Sequence, residues 1–171
     1  EETDGTLGYY DPEGNSLEKI FLKSPLQYRY ISSGFSTARI DPITGHVGSH
    51  RAIDYAAGYG TPSVSVGDGT VVRSGWNGGY GYSVDVRHNE TYLTRYGHFS
   101  RLAVKSGDKV SQGEIIGYVG STGHSTGPHL HYEVYKNGTP VNALTIELPS
   151  DKALSPELLP AFKEYIQQFE L

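Results

Sequence analysis

Five side chains in three short segments could do chemistry: His50 and Asp54 in His50-Arg-Ala-Ile-Asp54, His98 in Tyr96-Gly-His98, and His129 and His131 in His129-Leu-His131. Imidazole and carboxylate are donor types that hold zinc. Two imidazoles and one carboxylate would leave a coordination position open, which separates a catalytic metal site from a closed structural one. Two histidines left over from such a set could orient water and steady an oxyanion. Each segment alone is a weak signal. His129 and His131, two apart, project from one face of a strand, but so do surface histidines with no function. His50 and Asp54, four apart, would share a face on a helix or sit across a short extended turn. The residues that follow, Tyr55-Ala-Ala-Gly-Tyr-Gly-Thr-Pro62, are poor helix material, so an extended or looped arrangement is expected. There is no His-Glu-x-x-His, so the helical zinc-protease site with its glutamate base is absent.

The elements that must position these groups read as strands. Between about Ile31 and Ile146 the pattern is nearly all β. Tyr82–His88 alternates apolar and polar residues, and Asn89-Glu90 can turn it into a second strand over Thr91–Tyr96. Ser63–Val66, Thr70–Val72, Glu114–Val119 and His131–Tyr135 read as further strands, with turns at Gly67-Asp-Gly69, Ser106-Gly-Asp108 and Asn137-Gly138. No helical stretch separates them, so a mainly β fold is predicted: an antiparallel sheet sandwich with a groove. Residues 1–30 read as an extension with a hairpin arm, from Tyr9-Tyr10 through Asp11-Pro-Glu-Gly-Asn15 to Ile20-Phe-Leu22. Residues 31–146 form the main domain. In the tail, 147–171, Leu158, Phe162, Tyr165, Ile166 and Phe169 recur at helical spacing, with Pro160 in a first turn. A short amphipathic helix capping the sheet is expected there.

Composition narrows the class. The chain has 171 residues, enough for one sizeable core, with 22 glycines and 14 tyrosines that suit short strands and tight turns. A formal charge of −5 gives no attraction to nucleic acid or an anionic membrane. No segment approaches the ~20 apolar residues of a membrane span. With no cysteine there are no disulfides, thiolate metal sites or thiol nucleophiles. The first residue is Glu1, so a processed or excised fragment is expected, its signal peptide already lost.

Other residues have duller readings. His88 lies on the side of Val84 and Val86 and is expected to be a satisfied sheet histidine. His46 and His124 sit in glycine-flanked loops where substrate contact is an option. Glu133 shares a face with His131 and could accept its second N–H. Gly75-Trp-Asn-Gly-Gly-Tyr-Gly81 has no helix after it, so it is a β loop rather than a phosphate loop. Trp76, Tyr80 and Tyr82 are its candidate substrate-contacting rings.

Taken in order, the motifs form a pattern. Ser33-Gly-Phe-Ser36, Arg39, Pro42, His50-Arg-Ala-Ile-Asp54, Gly60-Thr-Pro62 and Asp68-Gly-Thr-Val71 come first. Tyr96-Gly-His98, Val104–Val110, Gly113-Glu-Ile-Ile-Gly117 and Gly120–Glu133 follow. From about Ile31 to Ala143 this closely resembles the lysostaphin/LytM-type zinc metallopeptidases, which cut peptide crosslinks of bacterial cell walls. The resemblance implies that His50, Asp54 and His131 hold one zinc per chain. His98 and His129 would be the catalytic histidines that do not bind it. Ala52 stands where the family often has glycine, and no upstream asparagine matches the fourth ligand of latent relatives. With no glutamate base, one of His98 and His129 accepts the proton while the other donates to the oxyanion, and the sequence leaves open which. Activity is then expected to fall below about pH 6, through proton competition for the ligands and loss of the accepting histidine.

The leading segment, with Tyr9-Tyr10, Phe21-Leu22 and Pro25, is similar to that of Gram-negative periplasmic D,D-endopeptidases, as is the exit Ile146-Glu-Leu-Pro149. This resemblance implies periplasmic cleavage of the D-alanyl–diaminopimelate crosslink, with peptidoglycan stem peptides as partner and an upstream domain or regulatory protein as a further one. Glycyl-glycine cleavage and a non-catalytic wall-binding or amidase-activating role are the alternatives. Val104-Lys-Ser-Gly-Asp-Lys-Val110 also resembles the hairpins of biotinyl and lipoyl carriers, but a carrier would not explain the metal motifs.

Overall fold

A computed structural model describes residues 10, 12–14, 20–40, 45–146 and 154–168. The chain divides into two compact units, Leu22–Ile146 and Glu1–Phe21 with Glu147–Leu171.

The larger unit is built from β1 (Tyr30–Ser33), β2 (Ser36–Ile40), β3 (Val47–His50), β4 (Ile53–Ala56), β5 (Pro62–Val64) and β6 (Gly69–Trp76). These are followed by β7 (Tyr82–Arg87), β8 (Tyr92–Leu102), β9 (Lys109–Val110), β10 (Ile115–Val119), β11 (His129–Lys136) and β12 (Thr139–Val141). Ten of them form one sheet with the order β1-β4-β11-β8-β7-β6-β9; β10 joins β8 and β5, and β12 pairs with β11. Each of these pairs is antiparallel. A separate two-stranded ribbon, β2–β3, delivers His50 at its end. Asn137 and Gly138 take φ of 50° and 77°, the left-handed pair that a tight hairpin between β11 and β12 requires. The loop before β7 holds a single 3-10 turn, Gly78–Tyr80.

The period-2 pattern gives the central strands two unlike faces. Ile53 and Tyr55 of β4, Leu130 and Val134 of β11, Tyr96 of β8, and Val84 and Val86 of β7 are almost wholly buried. Burying each such side chain contributes about 1.5–3 kcal/mol, so this apolar face holds the unit together. The alternate residues face the other way in two cross-strand rows. Asp54 pairs with His131, which pairs with Gly97; Glu133 pairs with Arg95, which pairs with Asp85. His88 behaves as expected of a sheet histidine, with Nδ1 2.7 Å from the Asp68 carbonyl and Nε2 2.8 Å from Thr94 Oγ1.

The second row contains an ion pair between the half-buried Arg95 and the buried Asp85. Arg95 donates from Nε and Nη2 to the two Asp85 oxygens, each at 2.8 Å, and lies 4.7 Å over the Tyr80 ring. Removing one partner of such a pair strands the other charge. Among the described residues, Arg95→Met would leave Asp85 the Arg73 contact at 3.8 Å, and it should cost about 3–5 kcal/mol in urea denaturation. A loss below about 1 kcal/mol, the range of an exposed pair, would contradict this reading of the row.

Most of the hairpin arm expected before Pro25 falls on residues 1–9, 11 and 15–19, which lie outside the described residues; Ile20–Leu22 lie outside any strand. The Leu22 N–H is given to the Val66 carbonyl at 2.7 Å, and the Val64 N–H goes to the Pro25 carbonyl at 2.8 Å. These two bonds hold the stretch from Leu22 to Pro25 around β5.

In the smaller unit, α1 spans Leu159–Gln167 with Pro160 in its first turn, as the spacing predicts. Leu158, Leu159, Phe162 and Ile166 are half-buried while Tyr165 is exposed; Phe169 lies outside the described residues. Phe162 meets Tyr10 edge-on at 6.0 Å, and the Leu154 N–H bonds the Gly14 carbonyl at 2.9 Å. Gly14 is left-handed at φ 87°, and a Cβ there would come within 2.4 Å of Leu159, so both backbone and packing call for glycine.

Candidate metal centre

The three segments that carry the histidines converge. β3 ends at His50 and β4 begins at Ile53, so the His50–Asp54 spacing is read out across a short break between strands, not on a helix. β11 places His129 and His131 on one face, and His131 sits opposite Asp54 in register. Donor atoms of His50, Asp54 and His131 all lie within 4.8 Å of one another.

His98 reaches the same place by a backbone irregularity. On β8, Tyr96 pairs with Val84 and Phe99 with Tyr82, so Gly97 and His98 together oppose Ser83 alone. His98 takes a left-handed φ of 64°. A one-residue bulge of this kind re-aims a side chain, and here it brings the His98 ring to 4.7 Å from His129 and 5.5 Å from His131. Left-handed backbone at a residue with a Cβ is uncommon and clusters at functional sites.

Hydrogen bonds set which nitrogen each ring turns to the centre. The Nδ1–H of His50 is donated to the Gly34 carbonyl at 2.9 Å, that of His98 to Thr122 at 2.7 Å, and that of His129 to Gly127 at 2.8 Å. Each of these rings keeps its lone pair on Nε2. His131 is different: its Nδ1 lies 2.9 Å from Asp54 Oδ1 and its Nε2 2.9 Å from Glu133 Oε1.

This arrangement fits a metal ion. His50 Nε2 is buried without a hydrogen-bond partner, yet it lies 3.1 Å from Asp54 Oδ2. Two lone-pair-bearing atoms that close repel unless a cation lies between them. Asp54 is held well below the usual carboxylate range: burial opposes this, but the hydrogen bond from His131 and the two imidazoles beside it outweigh it. His131 responds in the opposite sense. Burial favours its neutral form, but the Asp54 and Glu133 carboxylates together raise it to about 9. Without metal, the centre therefore keeps a proton on His131 at neutral pH.

A metal must displace that proton. Apparent metal affinity should rise about tenfold per pH unit between pH 7 and about 9, then level off, as measured by competition with an indicator chelator. Affinity independent of pH in that window would contradict the geometry. His98 moves down to about 4, chiefly because burial disfavours its charged form, with His129 and His131 adding to the effect. It stays able to accept a proton well below pH 6. With His98 as the acceptor, an acid limb near that pH would come from proton competition at the ligands alone.

The centre lines a cleft of about 690 Å³. Tyr80 and His124 border it, whereas Trp76, Tyr82 and His46 are not among its lining residues. Trp76 and Tyr82 instead meet edge-on at 5.4 Å, both exposed. The Arg95–Asp85 pair behind the centre has no motif of its own. Its only trace in sequence is a charged residue at an outward-facing strand position. The carbonyls of Gly34, Thr122 and Gly127 carry no side-chain signal at all.

The model of Peptidase family M23 matches residues 48–143, the stretch that carries all of these side chains. The chain belongs to peptidase family M23. It is similar to the peptidoglycan DD-endopeptidase ShyC of Vibrio cholerae, 47% identical over 152 residues that make up 89% of this chain and 35% of that protein. Among solved M23-like structures, a zinc-containing peptidase from Vibrio cholerae aligns with a TM-score of 0.73 and 41% identity, over 86% of this chain and 46% of that one. The catalytic domain of lysostaphin from Staphylococcus simulans aligns with a TM-score of 0.60 and 34% identity, over 66% of this chain and 87% of that one. The M23 chain described here spans about a third of the length of the relatives it matches.

Proposed function

We propose that this M23 chain is a zinc-dependent endopeptidase that hydrolyses the D-alanyl–diaminopimelate crosslink of peptidoglycan in the periplasm or cell envelope. The observation that carries the reading is the convergence of His50, Asp54 and His131 donor atoms beside two further histidines, on the wall of an open cleft. The names of similar proteins, peptidoglycan DD-endopeptidases ShyC, ShyA and ShyB, support the substrate class. The zinc-containing relative supports the metal. No helix among the described residues is long and apolar enough to cross a membrane.

His50 Nε2, an Asp54 oxygen and His131 Nδ1 would hold the metal. When bound, zinc supplies Lewis acidity to the peptide carbonyl and the attacking water. His98 and His129 have each spent Nδ1–H on a carbonyl, so proton acceptance, and donation after it, run through Nε2. One takes the proton of the attacking water and returns it to the departing amine. The other, once protonated, donates to the oxyanion. A non-catalytic relative has no need of all five groups in this geometry.

The test is metal removal. Cleavage of a crosslinked muropeptide dimer should vanish with a strong chelator and return with stoichiometric zinc, while circular dichroism stays constant because the apolar face stands without the metal. Chelator-resistant cleavage would sink the reading.

A further inference from the structure

Among the four histidines of the centre, His50, His98 and His129 are oriented by main-chain carbonyls, which no substitution removes. His129 Nδ1 also lies 3.3 Å from Ser125 Oγ, but His131 has no main-chain carbonyl on its outer nitrogen and is oriented there by the Glu133 side chain. We infer that Glu133 is a positioning residue for the metal, one that fixes the tautomer and aim of His131 through a part-buried support of Arg95, Asp85 and two tyrosines. This rests on the reading of His131 as a ligand and adds what makes it one.

An imidazole bound by metal through one nitrogen must carry its proton on the other, and an acceptor there both orients the ring and makes it a better donor. Glu133 Oε1 lies 2.9 Å from His131 Nε2, so Nδ1 is left facing Asp54 and His50. The two residues are alternate members of β11 and share its outer face. Glu133 is itself buried, and both of its oxygens are occupied. Tyr80 OH donates to Oε1 at 3.0 Å, and Tyr135 OH donates to Oε2. Arg95 Nη1 approaches Oε2 at 3.5 Å. Arg95 cannot drift, because Asp85 holds it by two bonds of 2.8 Å from the neighbouring strand. The Glu133–Arg95–Asp85 row thus connects rigid sheet to the one ligand histidine that lacks a carbonyl anchor. Tyr80 closes the arrangement, with its ring 5.4 Å from that of His131.

Glu133→Gln keeps an acceptor oxygen and the side-chain shape, and Arg95 keeps Asp85, so this variant should fold. Glu133→Ala removes the acceptor altogether. Zinc dissociation constants from chelator competition, with cobalt-substituted spectra as a view of the ligand geometry, are the readouts. Glu133→Ala should weaken zinc by about 10–100-fold and alter the cobalt bands. Glu133→Gln should fall between it and the native protein, and in a His131→Ala background it should have no further effect on residual zinc binding. Native zinc affinity and cobalt spectra in a folded Glu133→Gln and Glu133→Ala pair would overturn the inference. If Glu133→Ala does not fold, Glu133→Gln decides alone: native affinity and spectrum overturn the inference, and weakened zinc supports it. Native zinc binding by His131→Ala would instead remove the ligand reading beneath it, so the two failures are distinct.

Discussion

His131→Ala is expected to lose both zinc and activity. The substitution removes the one centre residue flanked on both ring nitrogens by carboxylates, Asp54 at 2.9 Å and Glu133 at 2.9 Å. Two donors remain, and Asp54 Oδ1 and Glu133 Oε1 each lose the imidazole, although Oε1 keeps its bond from Tyr80. Lewis-acid stabilisation worth several kcal/mol corresponds to roughly 1,000-fold in rate or more. Metal analysis after gel filtration, alongside muropeptide turnover, gives the answer. Stoichiometric, tightly held zinc in the variant would remove His131 from the ligand set. A measurement of unfolding should accompany it, because the metal-free protein also loses the ion pair that a protonated His131 makes.

His98→Ala and His129→Ala are expected to behave differently. Their Nε2 atoms face the centre, but the three-donor set closes without them. Zinc content should stay near one per chain, and turnover should fall on the order of 100-fold or more, as for groups that move protons or meet an oxyanion. His98→Ala should not relieve the left-handed strain at position 98, since alanine carries a Cβ too. Zinc loss from His129→Ala would mean that the roles within His129-Leu-His131 are exchanged. Full activity in either variant would take that histidine out of the chemistry.

Much of this was legible in the residues, and the reason is periodicity. The alternation over Tyr82–Arg87 and His129–Lys136 announces strands with one apolar face, and the same alternation puts His129, His131 and Glu133 together. The poor helix formers after Asp54 rule out a helical His–Asp pair, and β4 is what forms instead. Register, by contrast, is a long-range property. Nothing local to Asp85, Arg95 or Glu133 says that they stand in one row, because that depends on how β7, β8 and β11 align. The extension of β8 to Leu102 hides behind Gly97 and the bulge at His98, where propensity would end a strand. The β2–β3 ribbon escaped notice for a related reason: Ser36–Ile40 and Val47–His50 are short and half polar.

The most direct test of the central claim is the identity of the product ends. A purified muropeptide dimer crosslinked through D-alanyl–diaminopimelate, incubated with zinc-loaded protein, should give two monomers. Mass spectrometry should find a D-alanine carboxyl end on one and a free diaminopimelate amine on the other. An intact dimer after prolonged incubation with fully zinc-loaded protein, or cleavage at any other bond, would contradict the account.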